Sequence, residues 1–162
     1  MGVMAAGVVL IKPNADCIGN KIIFTAVTHE LGREPYISEG TFSGTRLIKD
    51  INPDDGYSEV ELFGMMNGKA YFPAEDGSYP EVNIGEKLWV SDGTAVGTYL
   101  FKDLDPGQYF RNSWRTQETN YSSYPDNFFA HGDVMYFSAR HHNYGDELLM
   151  PEVYLAVFIF IA

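Results

Sequence analysis

The feature that most constrains this chain is that it repeats itself. "PYISEGTFSGTRLIKDINP" (35–53) lies over "LWVSDGTAVGTYLFKDLDP" (88–106) at an offset of 53 with no gap. Nine of the nineteen positions are identical: Ser38/Ser91, Gly40/Gly93, Thr41/Thr94, Gly44/Gly97, Thr45/Thr98, Leu47/Leu100, Lys49/Lys102, Asp50/Asp103 and Pro53/Pro106. Most others keep their type, as in Tyr36/Trp89, Ile37/Val90 and Glu39/Asp92. Upstream, "NKIIFTA" (20–26), "GKAYFPA" (68–74) and "DVMYFSA" (133–139) each end in Phe-x-Ala. A loop, a glycine and a second apolar segment follow each one: "GREPYIS", "GEKLWVS" and "GDELLMP". A unit that recurs in this way builds the same local structure each time and buries its apolar faces against its neighbours.

The units set the expected organisation. Residues 1–19 end a preceding repeat, because "GVVLIKP" (7–13) aligns with "GTRLIKD" (44–50). Residues 20–66 form repeat 1. Residues 67–130 form repeat 2, including a long aromatic loop at 107–130. Residues 131–162 begin repeat 3 and run into an atypical tail, "LMPEVYLAVFIFIA". Truncation, a shifted reading frame or a terminal cap would each produce such a tail. The opening "MGVMAAGVVLIK" has no basic residue before its apolar run and makes a poor signal peptide. The ten apolar residues of "VYLAVFIFIA" are about half of a membrane span, so no membrane insertion is expected.

Each unit reads as about four short strands, with no helical period in any long window. "AYFPA", "KLWVS" and "TYLFKD" supply three. "SEVELFGM" (58–65) alternates well enough to be expected as the fourth strand of repeat 1. The fixed residues belong to a reversal between strands. Ser38, Glu39, Gly40, Thr41 and Gly44 in one copy, and Ser91, Asp92, Gly93, Thr94 and Gly97 in the other, are read as structural turn residues. Gly40 and Gly93 supply positive φ. Asp92 is placed to accept hydrogen bonds from backbone N–H groups two residues on. The second glycine returns the chain to the sheet, and the proline of "KDINP" or "KDLDP" marks a strand exit. Cation ligation by Asp92 and Asp103 is the alternative to this turn chemistry. Trp89 and Tyr36 are expected to pack between neighbouring sheets, with a sugar-stacking platform as the other reading.

Composition narrows the function. A 45% hydrophobic, 15% aromatic chain of 162 residues has the material for a core. A net charge of -11 argues against a nucleic-acid partner, which needs a basic surface. One cysteine, Cys17, excludes an intramolecular disulfide. The segment 107–129 carries Tyr109, Phe110, Trp114, Tyr121 and Tyr124 among Arg, Gln, Asn and Ser. Such a loop suits a glycan or protein ligand, or else packs over a sheet edge to bury its own rings. No metal centre is expected: His29, His131, His141 and His142 lack metal-ligand spacing. No cofactor is expected either. "NPDDG" (52–56) and "AEDGS" (74–78) cluster oxygen ligands of the kind Ca²⁺ prefers, without the full spacing of a binding loop.

"KLWVSDGTAVGT", "EPYISEGTFSGT" and "GDEL" resemble the bacterial ELWxxDGT repeat over roughly residues 20–149. Glu39 departs from the motif aspartate, and Pro35 and Lys87 depart at the Glu-Leu positions. The resemblance implies multi-copy secreted or cell-surface proteins whose repeats form β-propeller blades. It carries no catalytic residues. The expected fold is therefore all-β, with about three antiparallel blades of an incomplete β-propeller in an open arc, since a closed ring takes about four to eight. The expected function is a non-enzymatic extracellular or cell-surface module for ligand binding or adhesion, a fragment of a longer protein containing further copies of the repeat. Two alternatives stand beside it. A carbohydrate-active propeller enzyme would need two carboxylates roughly 5–10 Å apart, with Asp126, Asp146 and Glu147 as candidates. A purely structural spacer would need no ligand at all.

Overall fold

The computed structural model describes residues 9–61, 63–77, 85–106, 108–110 and 118–141, with backbone alone for 9–14, 108–110 and 118–120. Within these residues every regular element is a strand. Strands β1 (Val9–Ile18), β2 (Lys21–Thr28), β3 (Gly32–Ser38) and β4 (Thr45–Leu47) form a sequential antiparallel meander, sheet 1. Strands β5 (Gly64–Met66), β6 (Lys69–Ala74), β7 (Lys87–Ser91) and β8 (Tyr99–Lys102) repeat it as sheet 2. A hairpin of β9 (Gln108–Phe110) and β10 (Glu118–Asn120) follows. Strands β11 (Asp126–His131) and β12 (Val134–Ser138) then pair as β5 and β6 do.

The two meanders are superimposable in register. Phe24 pairs with Tyr36 as Phe72 pairs with Trp89, and Tyr36 pairs with Leu47 as Trp89 pairs with Leu100. The first hairpin of each sheet closes on two residues: Gly19-Asn20, Asn67-Gly68 and Gly132-Asp133. Asn67 and Gly68 both have positive φ (50° and 72°), the requirement of the tight turn that follows the right-handed strand twist.

The sheets stack face to face. One side of sheet 2 presents Ala70, Phe72, Ala74 and Trp89 to Ile23 and Ile37 of sheet 1, with Ile48, Ile51 and Val60 between them. Its other side presents Met66, Tyr71, Leu88 and Val90 to Met135, Phe137 and Ala139 of the β11–β12 hairpin. Alternate residues of β6 and β7 thus enter different cores, and nearly every one of them is buried. Trp89 packs between neighbouring sheets, as its flanking apolar residues imply. Strand β5 lies beside both β1 and β11, so the first strands of successive sheets are neighbours.

The structure corrects the reading of "SEVELFGM" as a fourth strand of repeat 1. Among the described residues, strand pairing there is confined to Gly64–Met66, which opens sheet 2. Ser58 and Glu59 cannot extend it: Ser58 N–H donates to Arg33 O, and Glu59 has φ +54°. Each sheet therefore begins one strand earlier than the sequence unit. Strand β1 completes sheet 1, and β5 completes sheet 2.

Candidate functional site at the linker end of the sheets

Every sheet has two unlike ends. At one end lie the β1–β2 and β3–β4 turns and their counterparts. Here the repeated residues make one hydrogen-bond network twice. Gly40 N–H donates to Ser38 Oγ at 3.0 Å, and Gly93 N–H donates to Ser91 Oγ at 3.0 Å. Gly44 N–H donates to Thr41 Oγ1 at 3.0 Å, and Gly97 N–H to Thr94 Oγ1 at 2.9 Å. Thr45 and Thr98 each return a hydroxyl bond to the carbonyl of Thr41 or Thr94, at 2.7 and 2.6 Å. Ser38/Thr45 and Ser91/Thr98 are each linked at 2.7 Å. Gly40 and Gly93 take φ of 84° and 86°. The serine and threonine side chains of both copies thus bond to the backbone of their own turn.

Two details differ between the copies. Asp92 Oδ1 accepts from Thr94 N–H at 2.9 Å and from Thr94 Oγ1–H at 2.7 Å, which holds its pKa below the ordinary value. Glu39 is too long for that turn and instead bridges Lys21 at 2.8 Å. The second glycine has a reason that the sequence did not show. Its φ is not positive, but a Cβ on Gly97 would collide with the Asp92 carboxylate.

The opposite end gathers the linkers between sheets. Ser58 N–H and Oγ–H both donate to Arg33 O (2.9 and 2.7 Å), and Ser58 O accepts from Glu75 N–H at 2.9 Å. Ser123 does the same one unit later. Its N–H and Oγ–H donate to Glu86 O (3.2 and 2.8 Å), and its carbonyl accepts from Arg140 N–H at 2.6 Å. Each serine so ties the strand entry of one sheet to the strand exit of the next. The residue after each serine, Glu59 or Tyr124, has positive φ (54° and 43°). Sequence reasoning missed this clasp because residues 57–60 and 122–125 share only the serine. The offset of 65 that relates Ser58 to Ser123 also relates Phe63/Phe128, Tyr71/Tyr136, Phe72/Phe137 and Ala74/Ala139, and would have found it.

One buried and two half-buried carboxyls lie at this end. Glu34 has no solvent exposure, and its Oε2 and Oε1 accept from the N–H groups of Ile51 (2.9 Å) and Asn52 (3.1 Å). Burial outweighs these bonds and pushes its pKa up to about 8. Burial, then the charges of Glu59 and Asp76, raises Glu75 to about 7. Burial, then Glu75, Glu61, Glu59 and Asp126, raises Glu86 to about 7. Two cations at this end pair with other carboxylates: Arg33 Nη1 lies 2.7 Å from Glu59 and 3.4 Å from Glu61, and Lys87 Nζ lies 2.8 Å from Asp76. Lys87 occupies in sheet 2 the position that Glu34 occupies in sheet 1. Such carboxyls can take up or release a proton near neutral pH. Among the described residues no three His, Cys, Asp or Glu side chains are placed to hold a metal ion.

The expected ligand-binding aromatics are spread along the same linker. Tyr109 and Phe110 lie in β9, with side chains outside the described residues, as is Trp114. Tyr121 is half-buried and Tyr124 exposed, the latter at the clasp. Within the long loop read at 107–130, residues 126–130 are strand, and Phe128 stacks on Phe137 with centroids 5.5 Å apart. Of the carboxylate candidates, Asp126 neighbours Glu86, while Asp146 and Glu147 lie outside the described residues. Asp103 Oδ1 accepts from Asp105 N–H at 3.1 Å. No described helix is long and apolar enough to cross a membrane. The chain matches no protein-family model, no curated protein and no solved structure.

Proposed function

We propose that this chain is part of a β-propeller-type repeat array, an extracellular or cell-surface module that binds a carbohydrate or protein ligand without catalysing a reaction. The observation that carries the reading is the recurrence of whole sheets. Turn network, strand register and serine clasp all recur, and the sheets stack with their first strands side by side, the arrangement from which a ring of blades is built. Repeats that spend their fixed residues on backbone geometry leave recognition to the variable linkers. The segment 107–125, with Tyr109, Phe110, Trp114, Tyr121 and Tyr124, is the linker richest in aromatic rings, which stack on sugar faces and anchor protein interfaces.

A glycan array probed with the folded chain tests the carbohydrate form of the proposal. Binding that is lost in Trp114→Ala, with unchanged thermal unfolding, is the expected result. Absence of signal across the array from a folded protein removes that form. A second reading, a carbohydrate-active domain, draws on the carboxyls that exchange protons near neutrality at the linker end. Release of reducing sugar from a polysaccharide panel, abolished in Glu86→Gln, would replace the first reading with it.

A further inference from the structure

We propose that Lys87 and Asp76 of sheet 2 join in an intramolecular isopeptide bond, with Glu75 relaying the proton. The bond is a cross-link the chain makes by itself, and it does not depend on the ligand-binding reading.

The pair sits where the repeat has changed its chemistry. In sheet 1, Glu34 pairs with Ala26, and its carboxyl accepts from the N–H groups of Ile51 and Asn52. Thr28, two residues beyond Ala26, accepts from Leu31 N–H at 3.1 Å. Both side chains there serve the backbone. In sheet 2, Lys87 pairs with Ala74, and Asp76 lies two residues beyond Ala74. That diagonal is within reach of a long side chain. Lys87 Nζ donates to Asp76 Oδ2 at 2.8 Å, and the two side chains are 10% and 21% exposed. An amine and a carboxyl in contact, mostly out of water, have replaced two groups that bond to the backbone.

Contact and burial both favour the amide. Groups held together react without the entropy cost of an encounter. Burial penalises the ammonium and the carboxylate, and condensation removes both charges. Glu75 adjoins Asp76 in sequence, and its Oε2 is buried with no hydrogen-bond partner among the described residues. Burial, then the charges of Glu59 and Asp76, raises it to about 7, so its neutral acid is well populated near neutral pH. A carboxyl that is readily protonated there can both give and take a proton.

The step balances within the chain. One proton passes from the Lys87 ammonium to the Asp76 carboxylate, leaving a neutral amine and a neutral acid. Lys87 Nζ then attacks Asp76 Cγ. Glu75 gives its proton to the departing oxygen and takes one back from the nitrogen. The Cγ–Nζ bond forms, a Cγ–O bond breaks, and one water leaves. The product closes the base of the β6–β7 connection, residues 75–86, whose counterpart between β2 and β3 is only 29–31. Closing a long connection covalently takes freedom from the unfolded chain.

Mass spectrometry of the wild-type chain, denatured after folding, tests this. The chain should be one water lighter than its sequence. Trypsin should fail to cut after Lys87, so residues 70–102 should appear as one peptide lighter by the same water. Lys87→Arg keeps a cation beside Asp76 without an amine to condense, and it should have full mass, as should Asp76→Ala. Glu75→Gln should also have full mass, with unchanged far-ultraviolet circular dichroism. A wild type of full mass that is cut after Lys87 overturns the proposal. So does a water loss that leaves Lys87 cleavable or persists in Lys87→Arg, because Asp76 can also lose water by closing on the nitrogen of Gly77. A Glu75→Gln chain that cross-links as fully as the wild type overturns the relay.

Discussion

Ser38 and Ser91 make the same bonds to the same neighbours, but only Ser91 is fully buried. The physics of an unsatisfied donor then makes the two positions unequal. Ser91→Ala leaves Gly93 N–H and the Thr98 hydroxyl short of an acceptor or partner in the interior, an expected loss of ~1–3 kcal/mol in urea denaturation. Ser38→Ala exposes the equivalent groups to water and should cost clearly less. Glu34 gives a prediction in pH. Its folded-state pKa, about 8, lies above the ordinary 4.5, so folded chains hold this proton more tightly than unfolded ones. The stability it contributes is complete below about 4.5 and is lost as pH rises through about 8. Glu34→Gln should flatten the fall in unfolding free energy across that window, measured by denaturation on either side of it. Neither the burial of Ser91 nor the proton of Glu34 was legible from sequence. Both depend on what a distant segment places over the residue.

At the scale of elements, the turns were legible and the linkers were not. Ser-x-Gly-Thr-x-x-Gly-Thr fixes its own bonds within eight residues, so local chemistry suffices. The clasp spans from Arg33 to Glu75 through Ser58, and no pattern of apolar residues announces it. Alternation in residues 58–65 pointed to a strand, but the serine bonds and the positive φ of Glu59 compete with ladder pairing and prevail. Ser58→Ala keeps the N–H bond and loses the hydroxyl bond, so an expected loss of ~0.5–1.5 kcal/mol follows. Hydrogen exchange should quicken at Glu75, whose N–H depends on the clasp, and Ser123→Ala should do the same at Arg140.

For the whole molecule, sheet 2 is the stacked middle layer, with one core on each face. Phe72 is fully buried in the core shared with sheet 1. Phe72→Ala should cost about 3–5 kcal/mol, read as a fall in the unfolding midpoint. Phe42, at the tip of the β3–β4 turn and 69% exposed, should tolerate alanine with little change. The stacking also explains the charge of the linker end. Closing one sheet on the next brings Glu75 and Glu86 from different segments into a poorly solvated region, where the neutral acid is favoured.

The sequence by itself determined strands β2, β3, β6, β7, β8 and β12, the Ser-x-Gly-Thr turns and the recurrence of the unit, because backbone dihedrals and bonds between residues a few positions apart depend on local chemistry alone. It also marked Trp89 as an inter-sheet residue, since a large ring flanked by apolar residues must be covered. Tertiary structure decided that β1 belongs to sheet 1 and β5 to sheet 2, that one copy of the turn is buried and the other open, and that Glu34, Glu75 and Glu86 hold their protons toward neutral pH. These depend on which residues far apart in the chain meet, and on how much water their meeting removes.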